Sequence, residues 1–155
     1  MASNLFDVSG TVVLVSGGSR GIGLAIAQAF AEQGAKVVIT GRDPDSLRAA
    51  CTTAPHPIEF QTCDVADTDA ITACVNAVVA DHGRIDTLSN CAGVNKRMPA
   101  VDYTPEEFDQ IMNINLRGAF FMAQTVGKQM IRQGSGNQIN IDSLSTYGSL
   151  AQVAP

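Results

Sequence analysis

The sequence predicts an α/β fold, a three-layer doubly wound parallel sheet of five strands with helices on both faces. Two observations predict it. Short runs of apolar and β-branched residues alternate along the chain with stretches of helical periodicity, the pattern of a parallel sheet joined by helical crossovers. The first two runs, Val12-Val13-Leu14-Val15 and Val37-Val38-Ile39, lack polar alternation, as strands covered on both faces do.

In order, Thr11–Ser16 reads as the first strand and enters the glycine-rich turn Gly17–Gly23. Ile22, Ile26, Ala29, Phe30 and Gln33 then recur at helical spacing until Gly34 stops the helix. Lys36–Thr40 is the second strand. Asp43-Pro44 is an N-cap residue followed by proline at the first helical position, opening a helix to about Cys51. Ile58–Thr62 is the third strand. From Asp67 to His82 a helix presents Ile71, Cys74, Val75, Val78, Val79 and His82 on one face, with Gly83 as its stop. Ile85–Ser89 is the fourth strand and leads into Asn90-Cys91-Ala92-Gly93. Thr104-Pro105-Glu106-Glu107 is a capping box, predicting one long helix to about Gln133 with Phe108, Ile111, Met112, Ala119, Met122, Val126 and Met130 as its apolar stripe. Gly134-Ser135-Gly136 breaks it, and Gln138–Ile141 is the fifth strand.

At 155 residues, 45% hydrophobic and 16% charged, the chain suits one core, read as a single domain over 1–155. A net charge of −5 argues against nucleic acid as a partner. The N-terminus lacks the basic and apolar regions of a signal peptide, and the apolar runs are too short to span a membrane. Cys51, Cys63, Cys74 and Cys91 are scattered without CxxC or paired histidines, so neither a metal site nor a disulfide framework is expected. A reducing cytoplasm fits this composition.

Ligands of doubly wound sheets bind outside the carboxyl ends of the strands. The glycine turn, Gly41-Arg42, Asp64, Asn90–Gly93 and Ser143 all fall there. A glycine turn opening a helix offers free N–H groups and the positive end of the helix dipole to a phosphate; a plain structural turn is the rival reading. The spacing Gly17-x3-Gly21-x-Gly23 departs from G-x-G-x-x-G and resembles the Thr-Gly-x3-Gly-x-Gly signature of the short-chain dehydrogenase/reductase family, a Rossmann-type fold, with Ser16 in place of the threonine. The resemblance implies that Gly17, Ser19, Arg20, Gly21, Ile22 and Gly23 line a nucleotide.

The second strand ends Thr40-Gly41-Arg42 with no carboxylate at its tip for a ribose 2′-hydroxyl. Asp43 is near, but Pro44 behind it suits a helix cap. Arg42 can hold a 2′-phosphate bidentately, and Arg20 adds a second positive charge, which favours NADP over NAD; each arginine alone could be ordinary surface. Asp64-Val65 matches the family's adenine-contacting pair, with a helix-entry loop as the alternative. Asn90-Cys91-Ala92-Gly93 resembles the family's Asn-Asn-Ala-Gly, so Asn90, Ala92 and Gly93 carry over as cofactor-side residues and Cys91 does not.

Asn115 shares the apolar face of the long helix, where a buried amide must satisfy its donors and acceptor. It is either a structural hydrogen bond or, as Asn115-Leu116-Arg117-Gly118 resembles the family's Asn-x-x-Gly, the asparagine of the proton relay. Ser143 matches the family's catalytic serine, with Ser145 as runner-up and a turn residue as the alternative. The family's tyrosine base, followed four residues later by lysine, would fall beyond Pro155; Tyr147 lies too close to Ser143 and has Ala151 four residues on. The expectation is therefore a fragment, truncated relative to the family, that binds cofactor but is inactive and marginally stable alone, with its fifth strand an exposed edge. The resemblance, covering Leu5 to Pro155, implies hydride transfer between nicotinamide and a small-molecule secondary alcohol or ketone of sugar-acid or 3-oxoacyl type, in a homotetramer. Lys96 and Arg97 would suit an acidic substrate or be solvated loop residues. A non-catalytic nucleotide-binding sensor and another phosphate-binding α/β domain are the rival readings.

Overall fold

Strand and helix alternate as their periodicities dictate. A computed structural model describes residues 6–148 and residue 152; Leu5, Ala151 and Pro155 lie outside them. The strands are β1 (Val12–Ser16), β2 (Lys36–Gly41), β3 (Ile58–Thr62), β4 (Thr87–Asn90) and β5 (Asn137–Asn140). Between them run α1 (Gly21–Glu32), α2 (Pro44–Thr53), α3 (Thr68–His82), α4 (Pro105–Met112) and α5 (Ala119–Gln133). The five strands form one parallel sheet in the order β3-β2-β1-β4-β5. After β1 the chain winds outward through β2 and β3, then returns to place β4 on the other side of β1. The connections therefore diverge between β1 and β4, which opens a crevice above their carboxyl ends.

The two sheet faces bury different helices. Val13, Val15, Val37 and Ile39 pack with Ala27 and Ala31 of α1 and Leu47 of α2. Val12, Leu14, Val38 and Leu88 pack with Ile71, Val75 and Val78 of α3 and with Met122 and Val126 of α5. All five residues of β1 are buried, whereas β5 is an edge exposed along its whole length, as its position and sequence led us to expect.

Caps and stops fall where the sequence places them. Asp43 accepts from the N–H groups of Asp45 and Ser46, Asp67 from those of Asp69 and Ala70, and Thr104 and Glu107 close the capping box. Gly83 and Gly134 end α3 and α5 in the left-handed conformation.

Several expectations are corrected. The buried face of α1 is Gly23, Ala27 and Ala31. Small residues let that helix approach the sheet closely, leaving Ala29 and Gln33 exposed and Ile22 at the mouth of the helix. The fourth strand begins at Thr87 instead of Ile85, because the Gln133 carboxamide takes both backbone groups of Ile85: Ile85 N–H donates to Oε1 at 3.3 Å and Nε2 donates to the Ile85 carbonyl at 2.7 Å. Thr11 belongs to the preceding turn, its hydroxyl donating to the Val8 carbonyl. The last strand starts and ends one residue earlier than expected, at Asn137 and Asn140.

The largest correction concerns the long helix. A π-helical segment, Asn113–Gly118, separates α4 from α5. The buried positions along this stretch are Ile111, Ile114, Gly118 and Met122, so that Ile114 and Gly118 take the inward places expected of Asn115 and Ala119. Phe108 is exposed, and so is Asn115. Gly118 lies close against the segment after β3: a Cβ there would lie 2.6 Å from the Val65 carbonyl oxygen.

Gly118→Ala should therefore destabilise the fold by about 1–3 kcal/mol through forced displacement, read as a lower urea midpoint. The Glu107 carboxyl titrates below its ordinary range, chiefly through the Lys96 ammonium and then the Thr104 N–H. A lowered folded pKa stabilises above the unfolded value and is lost as pH falls through the folded one. Acidification through the carboxylate range should thus release amide-exchange protection at the start of α4, whereas Glu107→Gln should show no such pH step.

Candidate nucleotide cleft and adjoining serine–asparagine site

The carboxyl ends of the central strands surround a cleft of about 340 Å³. Of the residues singled out from the sequence on the cofactor side, Gly17, Ser19, Arg20, Gly21, Ile22, Gly23, Arg42, Asp64, Val65, Ala92 and Gly93 all line it. Hydrophobic β1 drives straight into the turn, whose first two N–H groups, from Gly17 and Gly18, both donate to the Thr40 carbonyl at 3.0 Å. The next N–H groups, in the first turn of α1, have no intrahelical acceptor, and Arg20 at the N-cap supplies no side-chain bond. This is a donor set shaped for an anion.

Gly17 is required twice over. Its φ is +77°, and a Cβ would meet Ala92 backbone atoms at 2.7 Å. The turn after β1 and the segment after β4 thus touch backbone to backbone, closing one wall of the cleft.

At the β2 end, Asp43 is committed to capping α2. Its carboxyl is lowered by the Ser46 hydroxyl and then by the Asp45 N–H. Arg20 and Arg42 are both exposed at the cleft, and neither forms an ion pair among the described residues. The Asp64 carboxylate accepts the Ala66 N–H at 3.0 Å, shaping the entry to α3, and the residue lines the cleft.

Asn90 does not line the cleft. It is buried, and its Nδ2 donates to the Ala119 carbonyl at 2.8 Å and to Asn140 Oδ1 at 3.3 Å, joining β4 to α5 and β5. Its neighbour Cys91, left out of the expected set, does line the cleft; burial pushes its thiol pKa up, and it lies 3.2 Å from the Ser89 hydroxyl.

A second cleft of about 490 Å³ adjoins the first through shared Ile22, Gly93 and Val94, and also holds Asn95, Asn115, Ser143 and Ser145. The structure thus brings Asn115 and Ser143 together although 28 positions separate them in the chain. The Asn115 carboxamide is spent on Val94: Oδ1 accepts the Val94 N–H and Nδ2 donates to the Val94 carbonyl, each at 2.8 Å. The buried-amide expectation is corrected: the Asn115 side chain is exposed and bonded to the cleft wall. Ser143 and Ser145 hydroxyls lie 2.7 Å apart, so the leading and runner-up serines share one position.

Lys96 pairs with Glu107, which accounts for one of the two loop cations. The cysteines are free, and no group suited to a metal ion occurs among the described residues. No helix among them is long and apolar enough to cross a membrane.

Gly41, placed on the rim with Arg42, lines the cleft, whereas sequence reasoning missed Thr40, Cys63, Val94 and Ile114 as lining residues. Thr40 ends β2 and could have been found by the strand-end rule. Ile114 follows Ile111 at helical spacing, the signal that could have found it.

Residues 11–155 match the short chain dehydrogenase family. Gluconate 5-dehydrogenase of Gluconobacter oxydans is 37% identical over 98% of this chain and 60% of its own length. Among solved structures, a metagenomic short-chain oxidoreductase in complex with NADP is 38% identical, with a TM-score of 0.87 over 96% of this chain and 69% of that one. An NAD+-bound xylitol dehydrogenase is 32% identical, with a TM-score of 0.88 over 94% of this chain and 57% of that one. The chain thus spans about three-fifths of the length of the curated relatives it matches, 60% and 58% for two of them. With the fold, the glycine turn and the paired clefts in agreement, the chain belongs to the short-chain dehydrogenase/reductase family of oxidoreductases.

Proposed function

We propose that this chain is the nucleotide-binding domain of an NADP-preferring oxidoreductase that interconverts a small secondary alcohol and its ketone. One observation supports the cofactor preference above others. The β2 side of the cleft presents Arg20 and Arg42, while the nearest carboxylate, Asp43, is already engaged in capping α2. A 2′-phosphate would meet two guanidiniums, with the Asp43 carboxylate directed at the first N–H groups of α2. The relatives alone do not decide the matter, since the solved structures include one NADP complex and one NAD+ complex.

The residues present fit a dinucleotide. The N–H groups at the start of α1 would hold its phosphates, and the close Gly17–Ala92 approach leaves the turn open towards the ligand. Arg42 and Arg20 would grip the 2′-phosphate, and Asp64 with Val65 would face the adenine. Nicotinamide, when bound, supplies or accepts the hydride. Ser143 would hydrogen-bond the substrate oxygen and stabilise charge developing there. The Ser145 N–H donates to Ser143 Oγ at 3.2 Å and holds that hydroxyl towards the second cleft. Asn115 fixes Val94, one of three residues common to both clefts, and so sets one cleft against the other.

A sugar-acid substrate is the favoured class, supported by the gluconate 5-dehydrogenase relative, with a 3-oxoacyl-like ketone as the alternative. A homotetramer in the cytoplasm is the expected form of the protein.

Titration with NADPH and NADH, followed by nicotinamide fluorescence, tests the reading. Arg42→Ala should weaken NADPH binding about 10–100-fold, the worth of a charge-assisted bond to a phosphate, and leave NADH within about twofold. Equal weakening of both cofactors would overturn the 2′-phosphate assignment, and no binding of either would overturn the nucleotide site.

A further inference from the structure

Across the carboxyl end of the sheet, strand register places Thr40 beside Ser16 and Ser16 beside Asn90. Register partners in parallel strands point to the same face. Val12, Leu14, Val38 and Leu88, which precede these residues at even spacing, all belong to the core shared with α3 and α5. The last position of that face is therefore a polar row on three adjacent central strands. Thr40 and Ser16 are 0% exposed and Asn90 is 6% exposed.

Each member of the row has an oxygen without a partner among the described residues: Thr40 Oγ1, Ser16 Oγ and Asn90 Oδ1. One orphaned buried oxygen is tolerable, but three in consecutive register would each cost about 1–3 kcal/mol. Native proteins leave few such groups unpaired. No direct bond joins the three oxygens. Neighbouring strands lie about 4.7–4.9 Å apart, and two hydrogen bonds of about 2.8 Å meeting at one oxygen span roughly 4.6–4.9 Å.

From this geometry we infer a built water site in which one ordered water bridges Thr40 Oγ1 and Ser16 Oγ, and a second bridges Ser16 Oγ and Asn90 Oδ1. The donors and acceptors balance. Asn90 Nδ2 already uses both of its hydrogens, on the Ala119 carbonyl and Asn140 Oδ1, so its Oδ1 can only accept. The second water donates to it. The Ser16 hydroxyl donates to one water and accepts from the other, and Thr40 closes the row with either role.

One end of the row adjoins the nucleotide cleft. Thr40 borders it together with Cys63, Val65 and Ile114, which belong to the same sheet face, although Thr40 is itself fully covered, while neither Ser16 nor Asn90 lines it. The hydrated row thus lies beneath the cleft and is anchored at Asn90, whose amide holds the first residue of α5. This inference does not depend on which nucleotide the cleft takes.

The sign of a stability change distinguishes a hydrated row from a dry one. Thr40→Val keeps shape and β-branching and removes only the hydroxyl. If the row is dry, the exchange removes an unpaired buried oxygen and the protein becomes more stable. If it is hydrated, a bridge is lost and the unfolding equilibrium constant rises about fivefold, the worth of one net hydrogen bond. Ser16→Ala should raise it further, since Ser16 serves both waters. A crystal structure of the protein at high resolution supplies the direct check, with two density peaks expected between the three oxygens, each within hydrogen-bond distance of two of them. A row without these peaks, a direct Ser16–Asn90 side-chain bond, or greater stability in Thr40→Val would overturn the inference.

Discussion

Two carboxamides pin the long helical arm to the flanks of β4, and the arrangement of both clefts depends on them. Asn115 pairs with both backbone groups of Val94 beyond the carboxyl end of the strand, and Gln133 pairs with both backbone groups of Ile85 before its amino end. Each amide thereby substitutes for a strand neighbour. Such pairing is directional in a way that apolar packing is not, so the arm cannot slide along the sheet without breaking four hydrogen bonds. Val94 is held as a wall common to the nucleotide cleft and the serine–asparagine cleft.

The buried face of the arm runs through Ile111, Ile114, Gly118 and Met122, which leaves Asn115 off that face, where its carboxamide reaches Val94. Gly118 permits the close approach to Val65, which itself lines the nucleotide cleft. The Asn-x-x-Gly pattern thus has a physical reading: the asparagine clamps the segment after β4, and the glycine lets the helical arm close on the segment after β3.

Polarity is distributed unevenly over the sheet. Its middle is apolar on both faces, while its carboxyl end carries the Thr40–Ser16–Asn90 row. The β1 turn and the segment after β4 meet there with no room for a Cβ, so the rim is rigid where a ligand would press on it. A polar floor beneath a rigid glycine cradle is consistent with a site that receives a charged dinucleotide.

Much of this was legible in the residues. Apolar runs without alternation gave the buried strands, Asp43-Pro44 and Thr104-Pro105 gave the helix starts, and Gly83 and Gly134 gave the stops, because each follows from local backbone chemistry. The glycine spacing and strand-end positions located most of the cleft, since a doubly wound sheet always gathers those ends on one rim. What the sequence could not disclose was which of two neighbours at helical spacing from Ile111, Ile114 or Asn115, faces the core. The exposure of Asn115, the burial of Ile114 and the small-residue face of α1 depend on contacts between segments distant in the chain. So do the diversion of Ile85 to Gln133 and the withdrawal of Asn90 from the cleft. Local propensity sets the elements; close approach between them decides which atoms face the ligand.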